Sequence, residues 1–194
     1  PGGDLIGTRP IDSHLNGLRT LGAKIVSQDE VIELKGKLKS ARVLLDEISV
    51  TATENLILAS VITPGLTEIR MAAAEPHIVA LCEFLNSLGA KIDGIGSHVL
   101  QIEGVTALRG GEGKIIPDYL EAGTFAIAAA ASGGEMLIKE FVAGDNDALL
   151  NTFSRMGINY QSFDGDRLLV KPTRNIKAAR IRTDIFPGFP SDLQ

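Results

Sequence analysis

Apolar and polar positions along this chain follow two rhythms, one near 3.6 residues and one of two, and the switch between them recurs. In EPHIVALCEFLNSLGA, Ile78, Leu81, Cys82, Leu85 and Leu88 share one face of a helix. Pro76 suits the first helical position, where its missing N–H costs nothing. Gly89 then supplies the left-handed residue that closes such a helix. The following stretch has period two, with His98, Leu100 and Ile102 on one side and Val99, Gln101 and Glu103 on the other, as in a half-buried strand.

The same succession appears three times, in LRTLGAKIVSQDEVIELKG from Leu18, LNSLGAKIDGIGSHVLQIEG from Leu85 and FSRMGINYQSFDGDRLLVKP from Phe153. The central glycines, Gly22, Gly89 and Gly157, lie 67 and 68 residues apart, which identifies a supersecondary repeat. A second helix enters each later unit. Thr53 is placed to cap ENLILASVI, which stops at Pro64-Gly65, and Asp118 opens DYLEAGTFAIAAAA, which stops at Ser132-Gly133-Gly134. The second of these runs is apolar nearly all round and is expected to be fully buried. The order per unit is strand, helix, strand, helix, strand, strand, and the first unit lacks its beginning. Stacked repeats bury one another's apolar faces, so neighbours of this piece are expected to be missing. GGEGKIIPD, Gly110 to Asp118, is the seam between the second and third units. It reads equally as a hinge between domains or as a surface turn within one.

Composition narrows the classes. With 194 residues, 44% of them hydrophobic and 22% charged, the chain has enough apolar material for a substantial core. No apolar run approaches the ~20 residues that cross a bilayer, and no basic-then-apolar leader is present, so a soluble, cytoplasmic protein with no membrane partner is expected. The start at Pro1, without Met, suggests a processed or excised piece. A net charge of −5 argues against nucleic acid as a partner, because phosphate contacts need clustered Lys and Arg. Cys82 is the single cysteine, which excludes an internal disulfide and a cysteine-based zinc cluster, and its apolar helical face predicts a buried, inert thiol. His14, His77 and His98 lack metal-ligand spacing, and they read as solvent-facing or capping residues. Neither a Walker sequence nor a dinucleotide glycine fingerprint occurs. No metal is expected.

Candidate chemistry gathers at element ends, in PGGD with TRPID, AAAEP, PDYLEAGT and PGFPSDLQ. Gly2 and Gly3 give a mobile loop that presents Asp4, with Arg9 five residues on, and the loop reads as a connector or a lid. Carboxylates at turns suit proton transfer, and an arginine fork suits phosphate. Each acid also has a structural reading: Glu75 and Asp118 complement helix N-termini, and Asp192 opens a tail helix.

Six motifs in order carry a resemblance: PGGDLIGTRPIDSHLNGLRTLGA, SVTATENLILAS, AAAEPHIVALCEFLNSLGAKIDGIG, IEGV, IIPDYLEAGTFAIAAAASGG and PGFPSDLQ. Together they resemble the UDP-N-acetylglucosamine 1-carboxyvinyltransferases, enolpyruvyl transferases that open bacterial peptidoglycan synthesis. The resemblance runs from Pro1 to Gln194. It implies an α+β fold, the inside-out α/β prism of repeated βαβαββ units, with helices inside and sheets outside and about two and a half repeats present. It implies that residues 1–116 are the latter part of the domain carrying the catalytic loop and 117–194 one repeat of the second domain, which favours the hinge reading of the seam. The active site lies in the cleft between domains in that family.

The implied reaction moves the enolpyruvyl group of phosphoenolpyruvate to the 3-hydroxyl of UDP-N-acetylglucosamine by addition and then elimination of phosphate, with no metal or organic cofactor. By position in the motifs, Asp4 takes the place of the family's loop acid, usually a cysteine, as proton donor. An aspartate there implies resistance to fosfomycin, which alkylates that cysteine. Asp192 matches the acid that contacts the sugar hydroxyl and is the preferred base. Arg9 matches a substrate-contacting arginine. Pro10, Ile11, Asp12 and Ser13 match the segment along the uridine, and Glu47, Ile48, Ser49 and Val50 the diphosphate segment. Glu75 and Asp118 match further cleft acids. Thr51 stands where glycine is common, Glu47 puts an acid beside the diphosphate segment, Tyr119 replaces an arginine, and Met71 an asparagine. The phosphoenolpyruvate-clamping lysine falls outside these 194 residues, which are therefore not expected to turn over without the remaining segments of the enzyme. Two other readings are a shikimate-3-phosphate enolpyruvyl transferase and a non-catalytic repeat domain that binds a partner or self-assembles.

Overall fold

In the computed structural model, which describes residues 10–28 and 31–194, the sequence repeat becomes a repeat of elements. The incomplete first repeat is α1 (Asp12–Thr20), β1 (Lys24–Gln28) and β2 (Val31–Lys35). The second is complete: β3 (Arg42–Leu44), α2 (Val50–Ser60), β4 (Gly65–Arg70), α3 (Pro76–Ser87), β5 (Lys91–Asp93) and β6 (Val99–Gly104). The third comprises α4 (Tyr119–Ser132), β7 (Met136–Lys139), α5 (Asp147–Met156), β8 (Tyr160–Phe163) and β9 (Arg167–Val170). Gly22, Gly89 and Gly157, at φ of 95°, 100° and 71°, follow α1, α3 and α5, where a side chain would oppose the left-handed turn. The chain divides into two compact units, Pro1–Lys114 and Ile115–Gln194.

In the first unit β1 and β2 pair as an antiparallel hairpin, and a four-stranded sheet has the order β3-β4-β6-β5. β3 runs parallel to β4, while β4 and β5 are antiparallel to β6. Val43, Ile69, Leu100 and Ile102 from this sheet close over Leu56 and Ile57 of α2 and Ile78 and Cys82 of α3, all essentially without solvent exposure. Burial, aided by Glu83, pushes the Cys82 thiol up to about 11, so it stays protonated and unreactive at neutral pH. In the second unit β7 and β8 flank β9 in an antiparallel sheet. Its core joins Phe141, Leu149, Phe153, Leu168 and Val170 to Ala126, Ala129 and Ala130 of α4.

Four expectations need correction. α2 begins at Val50, and its cap is Ser49, whose side chain accepts from the Ala52 amide at 3.3 Å; Thr53 lies inside the helix. His98 precedes β6 instead of lying in it. No strand opens the third repeat among the described residues, because the stretch ahead of Asp118 is rich in glycine and charge. Nor is α4 fully buried. Its small residues face the sheet, but Phe125 on another face is 50% exposed, and a groove of about 310 Å³ lined by Ile127, Leu149, Phe153 and Phe189 stays open.

The two later repeats share a kink. Met71 and Glu140, which directly follow β4 and β7, have φ of 57° and 55°. The next amide bonds across the sheet in each case, Ala72 N–H to His98 O at 3.2 Å and Phe141 N–H to Asp166 O at 2.7 Å. Left-handed backbone costs an ordinary L-residue about 1 kcal/mol, and Asn tolerates it better. Met71 is 38% exposed, so little burial is at stake. Met71→Asn is therefore expected to raise stability by about 1 kcal/mol, visible as a higher urea midpoint; an unchanged or lower midpoint would show that the kink is unstrained.

Candidate functional site

The candidate residues of the first unit converge because α1 lies on α2. At Gly17, a Cβ would come within 2.7 Å of Leu56 Cδ1, so glycine permits the close approach. The contact sets the start of α1, Pro10 to Ser13, beside the loop that leads into α2. Buried Ser13 donates from Oγ to Glu47 Oε1 at 3.4 Å, a long bond. Asn16 Nδ2 donates to Asp46 Oδ2 at 2.8 Å. His14 spans the pair of helices, with Nε2 3.1 Å from Thr51 Oγ1 and Nδ1 2.8 Å from Asn55 Nδ2. An amide nitrogen only donates, so His14 Nδ1 is the acceptor and Nε2 carries the hydrogen toward Thr51.

Glu75 is tied to the same place through Thr53. The Thr53 hydroxyl donates to Ser49 O at 2.7 Å and accepts from the Ala73 amide at 2.9 Å, fastening the first turn of α2 to the segment that leads into α3. Glu75 is the N-cap residue of α3, yet its side chain makes no cap bond. It is 9% exposed, and Oε2 is buried without a hydrogen-bond partner among the described residues. That orphaned oxygen is suited to a cationic or hydroxyl donor. At the start of α2, Ser49 serves the amides of Ala52 and Thr53. Helix geometry leaves the Val50 and Thr51 amides without an intrahelical partner, and such amides suit phosphate oxygens. Glu47 and Asp46 work against an anion there, although Asn16 takes up part of the Asp46 charge.

In the second unit Asp118 does cap α4, its Oδ1 accepting from the Leu120 and Glu121 amides at 2.8 and 3.1 Å. Asp192 sits in a short 3₁₀ helix, Ser191–Leu193, which packs on α4. A Cβ at Gly123 would lie 2.7 Å from Leu193 Cδ1. Ahead of this turn the Phe186–Pro187 peptide is cis. Asp4 and Arg9 lie outside the described residues.

The geometry thus brings together Pro10, Ile11, Asp12 and Ser13 with Glu47, Ile48, Ser49 and Val50 in one unit, reaches Glu75 through Thr53, and places Asp118 and Asp192 on α4 and its neighbouring turn in the other. Sequence reasoning missed Thr53 as a fastener and Asn16 and Asn55 altogether, and it read His14 as solvent-facing or capping, whereas the ring bridges to Thr51 and Asn55 of α2. These partners are 20 to 41 residues apart, and no local pattern links them.

The fold is shared with enolpyruvyl transferases, and the chain belongs to the EPSP synthase (3-phosphoshikimate 1-carboxyvinyltransferase) family, whose model matches residues 1–194. Among solved structures it is similar to the enolpyruvyl transferase NikO from Streptomyces tendae, with TM-score 0.79 and 20% identity over 95% of this chain and 47% of that one. It is also similar to EPSP synthase from Acinetobacter baumannii, with TM-score 0.65 and 20% identity over 90% of this chain and 42% of that one. In sequence, the UDP-N-acetylglucosamine 1-carboxyvinyltransferase 2 of Bacillus subtilis is 42% identical over all of this chain and 46% of its own length. A UDP-N-acetylglucosamine 1-carboxyvinyltransferase 1 from Caldanaerobacter subterraneus is 44% identical over all of this chain and 47% of its own. The chain spans about half the length of the curated relatives it matches. No described helix is long and apolar enough to cross a membrane.

Proposed function

We propose that this chain is part of a UDP-N-acetylglucosamine 1-carboxyvinyltransferase, which transfers the enolpyruvyl group of phosphoenolpyruvate to the 3-hydroxyl of UDP-N-acetylglucosamine in peptidoglycan synthesis. The observation that carries the reading is the convergence of Pro10–Ser13 with Glu47–Val50 in a chain 42–44% identical, end to end, to enzymes of that name. Residues 1–116 belong to the domain with the loop acid, and 117–194 are one repeat of a second domain. The enzyme acts in the cytoplasm and supports cell division and cell shape through the wall.

In the addition step, Asp192 takes the proton of the sugar 3-hydroxyl while its oxygen bonds to C2 of phosphoenolpyruvate. Asp4 gives a proton to the methylene carbon C3. In the elimination step, C3 returns its proton to Asp4, the C2–O bond to phosphate breaks, and phosphate leaves with the proton that Asp192 took up, so the double bond and both carboxyl groups are restored. Arg9 and the Val50 and Thr51 amides hold the anionic parts of the substrates, and Glu75 and Asp118 offer acceptors to hydroxyl or cationic groups. With an oxygen acid at position 4 in place of the thiol that fosfomycin alkylates, and with the one thiol of these 194 residues buried and protonated, the enzyme resists fosfomycin.

The test is phosphate release by an enzyme of the relatives' full length that carries this sequence. Release is expected with phosphoenolpyruvate and UDP-N-acetylglucosamine and is not expected with shikimate 3-phosphate as acceptor. The opposite acceptor preference would overturn the reading.

A further inference from the structure

The Asp192 carboxylate is exposed and makes no hydrogen bond or ion pair to another described residue, so its place is set by the backbone that carries it. That backbone is held at two points, both on α4. Leu193, 6% exposed, seats against Gly123, where even a methyl group would meet it at 2.7 Å. Upstream, the Phe186 ring meets the Tyr119 ring edge to face, at a centroid distance of 5.9 Å and an interplanar angle of 70°. Around Phe186 the chain is closed on itself, with Asp184 N–H donating to Phe189 O at 2.9 Å and Gly188 N–H to Ile185 O at 2.6 Å, and the next turn is closed by Leu193 N–H donating to Pro190 O at 3.2 Å. A hold at Phe186 is therefore transmitted through a rigid turn toward Asp192.

We propose that Tyr119 and Gly123 are positioning residues: they pin the tail turn to the first part of α4 and so fix where Asp192 presents its carboxylate. The proposal rests on the reading of Asp192 as the base. It also accounts for a tyrosine directly after the Asp118 cap, since the ring does there what a charged side chain would not.

Two measurements test it separately. In this chain, hydrogen exchange at the Asp184 and Gly188 amides should quicken about two- to tenfold in Tyr119→Ala, the range an aromatic pair is worth. It should quicken likewise in Gly123→Ala, which displaces Leu193. In an enzyme of the relatives' full length, Tyr119→Ala should lower kcat by about tenfold or more with KM little changed, and should add nothing to Asp192→Asn. Unchanged exchange overturns the proposal, as does quickened exchange with unaltered kcat. A fully active Asp192→Asn enzyme overturns the assignment of the base, and the exchange result then judges the hold by itself.

Discussion

Asp4→Asn in an enzyme of the relatives' full length is expected to lower kcat by about 10²–10⁴-fold, the contribution of a positioned proton donor. Asparagine keeps the size and shape of the side chain but has no acidic proton for the methylene carbon, so the loss should fall on kcat while the KM for UDP-N-acetylglucosamine stays nearly constant. Asp4→Cys, which restores an acid in the form most relatives are expected to carry, should return activity and make the enzyme sensitive to fosfomycin. The pair of variants separates chemistry from folding, because a merely destabilised loop would be rescued by neither the thiol nor its reactivity. Steady-state phosphate release checks both, and an Asn variant with undiminished kcat would remove Asp4 from the mechanism.

The largest expected effect on stability belongs to Thr53→Val. Valine matches threonine in shape, but the exchange deletes the donor to Ser49 O and leaves the Ala73 amide without its acceptor at a site with no solvent exposure. A lost hydrogen bond is worth about 1 kcal/mol and an orphaned buried amide another 1–3, giving a cost of about 2–4 kcal/mol. The urea midpoint of the chain should fall accordingly, with the slope unchanged. Thr53→Ser, which retains the hydroxyl, should recover most of the loss. Because the same hydroxyl holds the segment before Glu75, the Val variant should also bind UDP-N-acetylglucosamine more weakly. A change below about 0.5 kcal/mol would show that Ala73 finds another acceptor.

Much of this was legible in the chain because it depends on neighbours. Helix faces such as Ile78–Cys82–Leu85, the closing glycines and the Asp118 cap are set by residues within a few positions of one another. The start of α2 was misread for the same reason. Hydrophobic periodicity draws the eye to the run after Glu54, whereas Ser49 caps the helix and Thr53 spends its hydroxyl on Ala73, twenty residues away. All-round apolarity in α4 states what the helix can bury but not which faces its own unit covers, hence the half-exposed Phe125. The polar bonds that hold α1, His14 to Asn55 of α2 and Asn16 to Asp46 of the loop before it, carry no pattern in sequence, since a hydrophilic residue on a helix is ordinarily left to water.

The central claim is that the starts of α1 and α2 form one surface for a nucleotide sugar. Its most direct test is an amide chemical-shift titration of the chain with UDP-N-acetylglucosamine. The account predicts saturable shifts at Asp12, Ser13, Ser49, Val50 and Thr51, with β7 to β9 undisturbed. Saturable binding that leaves those five amides unmoved and shifts the strands of the second unit instead would contradict it.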